Sequence, residues 1–243
     1  MTTPSLARRL AAEAFGTAVL AAVLIGSGIR AAELSPDGGV RFLANVLASV
    51  LALAVLITLL GPVSGAHLNP LVSAAAWWTD RRGCTGLTLA ELGGYVLAQL
   101  LGGVAGAALA NLMHRQPVLA AAARPLAGPH LWLAEAVATG GLVLLVFGLL
   151  RTGRERYAPV AVAAWIGAAC WAVSSGSFAN PALTLARSLS DSYTGIAPAS
   201  VPAFVLAQGA GAVLGLALVP VLFGRPRHRA PDDARELVPE LRG

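Results

Sequence analysis

The amino-acid sequence predicts an all-α membrane protein in which six transmembrane helices and two re-entrant half-helices form an inverted repeat. Of the 243 residues, 56% are apolar and only 12% are charged. The charged residues cluster between apolar runs of about 20 residues, the length that crosses a hydrocarbon core of ~30 Å. In addition, three sequence motifs each occur twice, in the same order. Together these observations indicate a polytopic helical protein with two related halves.

Six apolar runs are the predicted membrane spans. They cover residues 8–29, 40–60, 88–112, 130–150, 157–175 and 199–223. The first span follows Arg8 and Arg9, as a signal peptide would, but it carries Glu13 and its motif recurs later in the chain, so we expect it to be retained. Residues 224–243 are predicted to be a loosely ordered cytoplasmic tail.

The arginines predict the orientation, because all 17 basic residues are arginines and cytoplasmic loops carry an excess of them. With both termini inside, 12 arginines lie inside and five lie outside. The outside set is Arg30, Arg41, Arg115, Arg124 and Arg187. We therefore expect a multi-pass protein of the plasma (inner) membrane with both termini cytoplasmic. The net charge of +5 follows this orientation and gives no support to nucleic-acid binding.

The repeated motifs divide the chain into halves. They pair "AEAFGTAVL" with "AEAVATGGL", "SGAHLNP" with "SGSFANP", and "YVLAQLLGGVAG" with "FVLAQGAGAVLG". Each half holds three spans, and an odd number of spans places the second half upside down relative to the first. We expect a single domain over residues 1–223, with the repeats at about 8–112 and 130–223.

Two Asn-Pro pairs mark the predicted half-helices. Asn is a favoured N-cap, and Pro is tolerated at the first helical position, so Asn69-Pro70 and Asn180-Pro181 each begin a helix. The segment from Asn69 to Trp78 spans ~15 Å, half the hydrocarbon thickness. The irregular loops that precede the pairs survive at this depth only when they are buried in protein or line a water-filled cavity. Two inverted half-helices that meet at the midplane therefore predict a pore.

The predicted central constriction consists of two boxes, Asn69-Pro70-Leu71 and Asn180-Pro181-Ala182. Each half-helix N-terminus carries about +0.5 charge. Each Asn caps its helix with the carbonyl oxygen, which leaves its NH₂ donors to face the lumen. A cation ~4 Å from the combined charge is repelled by roughly 4 kcal/mol at an effective dielectric of 20. The site is predicted to pass neutral hydroxylated molecules and to exclude cations and protons.

These motifs resemble the aquaporin and aquaglyceroporin family. The resemblance rests on the paired Asn-Pro boxes, the "AEAFGT" run with its echo at Glu135 and Thr139, the "SGAH" run, and the "AQ" pairs at Gln99 and Gln208. It covers about residues 8–223. It implies the aquaporin-like fold, one pore in each subunit, a homotetramer, and a channel that is not an enzyme.

The sequence departs from the family pattern at two positions. Leu71 stands where Ala is usual, so a narrower or more apolar midplane is expected. Leu183 stands where most members carry an Arg that narrows the outer selectivity filter. Counted from the boxes, the other filter positions fall at Ser49, Ala168 and Ser177. A filter of Ser, Ala, Ser and Leu is expected to be wide and moderately apolar.

The stretch "SFANPALTLARSLSD", followed by "GIAP" and "VPAFVLAQ", further resembles a bacterial subgroup associated with arsenic resistance, in which an aliphatic residue also replaces that Arg. This resemblance implies passage of arsenous acid, methylated arsenicals and glycerol-type polyols, with water as a further candidate. An ordinary water-selective channel is the alternative. Arg187, one helical turn beyond Leu183, is expected nearer the outer mouth than the constriction.

Three further residues have two possible roles each. Glu13 and Glu135 are candidates for a proton relay, because carboxylates within a membrane are commonly functional. We favour a bracing role, in which they accept hydrogen bonds from the N–H groups of the re-entrant loops. His67 is either a lumen-lining gate or a structural residue of its loop.

Two other classes of protein compete with the channel. An inverted-repeat secondary transporter would need an ion-coupling carboxylate at the central site, where the motif supplies amides. An intramembrane hydrolase built from Ser64 or Ser177 with His67 would need an orienting acid. Cys84 and Cys170 fall on different predicted elements and imply neither a disulfide nor a metal site, and no cofactor is expected.

Overall fold

The computed structural model describes residues 4–80 and 86–224, and within them the chain forms eight α-helices and two short 3-10 helices without strands. The first half contains α1 (Leu6–Leu34), α2 (Gly38–Ser64), α3 (Pro70–Asp80) and α4 (Leu89–Met113). The second half contains α5 (Pro129–Arg151), α6 (Ala158–Ala172), α7 (Pro181–Ser188) and α8 (Val201–Phe223). The 3-10 helices are Glu155–Tyr157 and Pro198–Ser200. Cys84 and the predicted tail beyond Gly224 lie outside the described residues.

Five helical segments are long and apolar enough to cross a membrane. They are α1, α2, α4, α5 and the continuous segment Pro198–Phe223. The remaining predicted span, 157–175, is shorter than expected: α6 has 15 residues, because Val173 is extended and the next re-entrant loop begins there. At 1.5 Å per residue α6 is ~22 Å long, and the preceding 3-10 turn adds ~6 Å, so the two together still cross most of a hydrocarbon core.

Local sequence signals fix several helix ends. The side chain of Asp37 accepts a hydrogen bond from the Val40 N–H at 2.7 Å and begins α2. Thr88 and Glu91 form a reciprocal capping box at the start of α4. Gly65 ends α2 in the left-handed region at φ 85°, a conformation open to glycine without a Cβ penalty. These signals set the start of α2, the start of α4 and the end of α2.

The helices pack as two matching pairs. The most extensive contacts join α1 to α4 in the first half and α5 to α8 in the second. The half-helix α3 packs between α4 and α8, and α7 packs against α4, α8 and α1. This inverted repeat of three spans and one half-helix confirms the predicted fold class. The limits given above for the domain and its repeats stay a prediction.

The outer surface of the bundle is apolar. On α2, exposed side chains recur every four residues along one face. They are Leu43, Leu47, Leu51, Val55 and Leu59. A helix face of this kind is stable next to lipid chains. The protein is a multi-pass membrane protein whose polar groups are turned inward.

Candidate functional site: a pore between two re-entrant loops

Two loops with the same backbone conformation enter the bundle from opposite ends. Gly65 and Gly176 lie in the left-handed region at φ 85° and 74°. Two further positions on each loop match in the same way. These are Ala66 and Leu68 at φ 45° and 50°, and Ser177 and Ala179 at φ 54° and 47°. Each non-glycine residue held in this region costs roughly 1–3 kcal/mol, so surrounding contacts must hold the loops in place.

Glu13 supplies those contacts in the first half. Its side chain is fully buried and accepts from the backbone N–H groups of His67 at 2.9 Å and Leu68 at 2.7 Å. The hydroxyl of Ser64 donates to the same carboxylate at 2.6 Å, and Gln99 Nε2 donates at 2.7 Å. With four donors around it, the carboxylate has no vacancy for a transported proton unless one of these bonds breaks.

Glu135 has the same surroundings in the second half. It is fully buried and accepts from the N–H groups of Phe178 and Ala179, each at 2.9 Å. Ser175 Oγ donates at 2.6 Å and Gln208 Nε2 at 2.7 Å. Each glutamate therefore ties a helix of its own half to the re-entrant loop of that half.

Gln99 and Gln208 extend these networks to the half-helices. Besides its glutamate, Gln99 Nε2 contacts Ser73 Oγ at 2.9 Å, and Gln208 Nε2 contacts Thr184 Oγ1 at 3.0 Å. Both glutamines are fully buried. The sequence marked them only as members of repeated "AQ" pairs. Their recurrence in both halves was the available signal for a structural role.

Asn69 and Asn180 join the two loops at the centre. Asn180 Oδ1 accepts from the N–H groups of Ala182 at 3.0 Å and Leu183 at 3.3 Å, as an N-cap does. Asn69 Oδ1 likewise accepts from Leu71 N at 3.0 Å. In addition, Asn69 Nδ2 donates to Ala179 O and Asn180 Nδ2 donates to Leu68 O, both at 2.8 Å.

This cross-link modifies the prediction that both NH₂ groups are wholly free to face the lumen. Each amide nitrogen carries two hydrogens, and one of them binds a carbonyl of the opposite loop. One hydrogen of each Asn is left for a molecule in the cavity. Both Asn residues are at least nine-tenths buried and both contribute to the cavity wall.

A cavity of about 1010 Å³ passes between the two loops. At one end its wall includes Phe42 and Tyr193, and at the other it includes Thr58 and Glu155. Six of the predicted site residues contribute to this wall. They are Ser49, His67, Asn69, Ser177, Asn180 and Leu183. We use "outer" for the Tyr193 end, which is the end predicted to face outside the cell.

Four box residues are not part of the cavity wall, which corrects their predicted place in the constriction. Pro70 and Pro181 are the first residues of α3 and α7. Ala182 is fully buried within the protein. Leu71 packs on a cluster from α3, α5 and α8 that includes Val143 and Phe147. Because Leu71 points into this cluster, it does not narrow the midplane as expected; the two Asn side chains line it.

The predicted filter residue Ala168 also needs correction. It is exposed on the bundle surface and is not among the residues that line the cavity. Ile166 and Cys170 line the cavity instead. Residues four apart share one face of a helix, whereas residue 168 is turned by ~200° from 166. Counting from the boxes set the register of α6 on the wrong face, since the count took no account of the irregular residues 173–180.

Two hydroxyl groups of the cavity wall lack partners. The Ser49 and Ser177 Oγ atoms are buried and have no hydrogen-bond partner among the described residues. Leu183, 7% exposed, adds an apolar side chain to the same wall. Phe42 and Trp171 also line the cavity and form an edge-to-face pair with ring centroids 4.9 Å apart. The sequence reasoning missed this aromatic pair, because its members lie on different helices and form no motif.

His67 lines the cavity and is also bound to the surrounding protein. Its Nδ1 lies 3.0 Å from Ser73 Oγ, and its ring centroid lies 5.4 Å from that of Tyr95. Tyr95 is itself fixed by a hydrogen bond to Ser64 O at 3.0 Å. The matched position on the other loop is Phe178, which has no titratable group. His67 therefore lines the cavity, as the gate role requires, and contacts Ser73 and Tyr95, as the structural role requires.

Comparisons with known proteins point to one family. The family model described as "Major intrinsic protein" matches residues 1–174. Aquaglyceroporin AqpS of Rhizobium meliloti (strain 1021) is 43% identical over 233 residues, which are 94% of this chain and 97% of that protein. The probable aquaporin AqpM of Archaeoglobus fulgidus is 30% identical over 226 residues, 80% of this chain and 87% of that protein. The X-ray structure of the aquaglyceroporin from Plasmodium falciparum superposes with a TM-score of 0.67 at 19% identity, covering 88% of this chain and 95% of that one.

Proposed function

The chain belongs to the major intrinsic protein family of membrane channels, and on this premise we propose that it is a passive channel for neutral solutes larger than water. It is a channel for small solutes and not an enzyme. The solutes we propose are glycerol-type polyols, arsenous acid and methylated arsenicals. The similarity to a protein named as an aquaglyceroporin supports the polyols. The resemblance to the arsenic-associated subgroup supports the arsenicals.

One observation carries the proposal: Leu183 lines the cavity at the position where a filter Arg is usual in the family. Ser49 and Ser177 also line the cavity, and their buried hydroxyls have no protein partner; rotation about the Cα–Cβ bond can turn these hydroxyls toward a solute, which then replaces some of its lost water contacts. At the level of Leu183 the wall offers an apolar side chain and serine hydroxyls, which favours solutes that carry several oxygens and no charge. Ile166 and Cys170 replace Ala168 in this proposed filter.

Ion exclusion is assigned to the centre. The N-termini of α3 and α7 meet there, each with about +0.5 charge, so a cation is repelled by roughly 4 kcal/mol at ~4 Å. The cross-linked Asn69 and Asn180 each keep one N–H for the passing molecule. A water that accepts from both amides cannot pass a proton along a chain of waters. Glu13 and Glu135 are assigned the bracing role, because all four oxygens already accept hydrogen bonds.

The assembly, the membrane and the orientation are proposed from the sequence. We propose a homotetramer in the plasma (inner) membrane with both termini cytoplasmic and one pore in each subunit. The excess of arginine in the predicted inner loops supports the orientation. His67 is proposed to shape the inner half of the pore wall, where its ring faces the cavity.

The test is a comparison of the parent with Leu183→Arg in liposomes of matched protein content. The parent is expected to pass glycerol and to remain tight to protons. The introduced guanidinium fills space that Leu183 leaves free and adds a full charge, so glycerol flux is expected to fall severalfold while water flux falls less or rises. Stopped-flow light scattering measures both fluxes.

Two results would contradict the proposal. A parent that passes water rapidly but excludes glycerol would be a water-selective channel. An Arg variant that passes glycerol as well as the parent would show that Leu183 is not at the constriction. Flux that accumulates solute against its gradient, and that collapses with ionophores, would instead indicate a secondary transporter.

A further inference from the structure

A cationic side chain lies in the outer half of the cavity, although position 183 holds leucine. Arg187 follows Leu183 by four residues on α7, and both residues line the cavity. Four residues correspond to ~6 Å along a helix, and they return to nearly the same face. Position 187 therefore presents a charge to the same passage as position 183, one helical turn further out.

Two contacts hold the guanidinium group in one orientation. Its Nε donates to the carbonyl of Thr194 at 2.6 Å. Its Cζ lies 3.3 Å from the centroid of the Phe178 ring, so the planar group stacks on the aromatic face. Phe178 is held in turn by an edge-to-face contact with Phe204, with centroids 5.1 Å apart. The charge is thus fixed to the re-entrant loop and to the loop that follows α7.

The remaining N–H groups of the guanidinium have no hydrogen-bond partner among the residues that the structure describes. Among the described residues, no acidic group forms an ion pair with it, and neither terminal nitrogen has a hydrogen bond. Arginine has five N–H donors, and the Nε bond uses one of them. Four donors remain for a molecule in the cavity. The unpartnered hydroxyl of Ser177, the residue before Phe178, lies on the same wall.

Two charged groups act on Arg187: the buried Glu135, whose oxygens already accept hydrogen bonds from the re-entrant loop, and Arg124. Arg124 lines the outer part of the same cavity, and its backbone carbonyl is held by the Ala197 N–H at 2.7 Å. Among the described wall residues the acidic one is Glu155, in the 3-10 turn after α5 at the opposite end. Glu135 is fully buried and does not line the cavity, so a cation that enters from outside meets the positive charges of Arg187 and Arg124 on the wall before any acidic wall residue.

We propose that Arg187 is a specificity-determining residue of the outer vestibule, where its fixed charge repels cations and its free N–H groups bind the oxygens of entering neutral solutes. The inference rests on the channel function proposed above and deepens it. Leu183 leaves the constriction without the bulk of an arginine, while Arg187 keeps a positive charge one helical turn further out. Width and charge are thereby set by two residues one turn apart.

The experiment compares Arg187→Gln and Arg187→Lys with the parent in liposomes. Arg187→Gln removes the charge and is expected to raise sodium leak about tenfold. Arg187→Lys keeps the charge and is expected to stay within about twofold of the parent. The matched control is Arg30→Gln, which removes an arginine that is exposed and paired with Glu33 and does not line the cavity. Its sodium leak is expected to equal that of the parent.

A purely structural role would give a different pattern. Lys and Gln both lose the guanidinium stacking and the Nε hydrogen bond to Thr194, so equal leaks in both variants, with equally lowered thermal stability, would overturn the proposal. An unchanged leak in Arg187→Gln would overturn it as well. If parent liposomes pass no glycerol, the proposed solute range fails, whereas the sodium measurement still decides the role of Arg187.

A labelled cysteine variant tests the same charge in case Arg187→Gln does not fold. Arg187→Cys is made in a chain with Cys84→Ala and Cys170→Ala and is labelled after reconstitution with a cationic or a neutral methanethiosulfonate of similar size. Because Cys170 lines the proposed filter, the reference for sodium exclusion is the same Cys84→Ala, Cys170→Ala chain with Arg187 retained. Restored sodium exclusion with the cationic label alone supports the proposal. The same effect with both labels assigns the change to bulk and overturns it.

Discussion

The two re-entrant loops have the same backbone and the same support, yet they present different side chains to the pore. Residues 65–68 and 176–179 use left-handed conformations at matching positions. Each loop donates two backbone N–H groups and a serine hydroxyl to one buried glutamate. Both His67 and the matched Phe178 line the cavity, but His67 adds an imidazole to the wall in one half, while Phe178 adds an apolar ring on which Arg187 stacks in the other.

This difference separates what the fold requires from what selectivity requires. Both half-helices must begin at the midplane, so the hydrogen bonds that hold each loop there have to be equivalent. The side chains on the cavity wall have no such constraint, because each half forms a different end of the passage. The half-helices also differ in length: α3 has 11 residues and α7 has eight.

The largest test of this comparison removes the buried charge from each half in turn. In Glu13→Gln or Glu135→Gln, one acceptor oxygen becomes an NH₂ group that faces hydrogen-bond donors. Each hydrogen bond to a charged group contributes roughly 1.5–3 kcal/mol, so the loss of two is expected to lower the free energy of unfolding by about 3–6 kcal/mol. Thermal unfolding in detergent and glycerol flux in liposomes measure the effect.

The two glutamine variants are expected to agree within about 1 kcal/mol, because the two carboxylates have matched donors. Glu33→Gln is the control: its carboxylate forms an exposed pair with Arg30, and such pairs contribute about 1 kcal/mol or less. If one glutamine variant keeps full stability and flux while the other loses both, the two bracing sites are not equivalent.

The next test concerns two equivalent helix crossings, α1 with α4 in the first half and α5 with α8 in the second. A Cβ added at Gly102 would lie 2.3 Å from the carbonyl oxygen of Ala14, and one at Gly211 would lie 2.1 Å from that of Ala136. Because backbone cannot move aside cheaply, Gly102→Ala and Gly211→Ala are each expected to lower stability by about 1–3 kcal/mol. The measurement is thermal unfolding in detergent.

Each of these variants has a control on its own helix. A Cβ at Gly93 on α4 or Gly209 on α8 meets no atom within 4 Å. Gly93→Ala and Gly209→Ala are therefore expected to be neutral or to stabilise by up to ~1 kcal/mol through helix propensity. If the controls destabilise the protein as much as Gly102→Ala and Gly211→Ala do, the close crossing is not the cause.

Most of the fold could be predicted from the sequence, because apolar length, repeated motifs and Asn-Pro pairs are local signals. The spans and half-helices follow from these signals, and so does the inversion. Hydropathy predicts a span over 157–175, whereas α6 ends at Ala172. Hydropathy continues without a break into Val173, and only the backbone conformation shows that the loop begins there.

The side chains of the site were harder to predict than its backbone. Ala168 was misplaced because the direction of a helical side chain depends on register, and an error of two residues turns it by ~200°. Leu71 was placed at the midplane because it belongs to the box, although the first turn of a half-helix presents only some of its residues to the passage. The stacking of Arg187 on Phe178 joins residues from loop and helix that no spacing rule connects.

The smallest test makes the two boxes alike. Leu71→Ala turns the first box into the form of the second, and Leu71 is only half-buried in its cluster on α5 and α8. Truncating a fully buried leucine costs about 2–5 kcal/mol, so a loss of about 1 kcal/mol is expected here. Because Leu71 does not line the cavity, glycerol and water fluxes are expected to stay within about twofold of the parent. Stopped-flow light scattering and thermal unfolding on the same preparations measure both quantities. A severalfold rise in glycerol flux with unchanged stability would place Leu71 in the pore, and would mean that the two loops differ at the constriction itself as well as at its two ends.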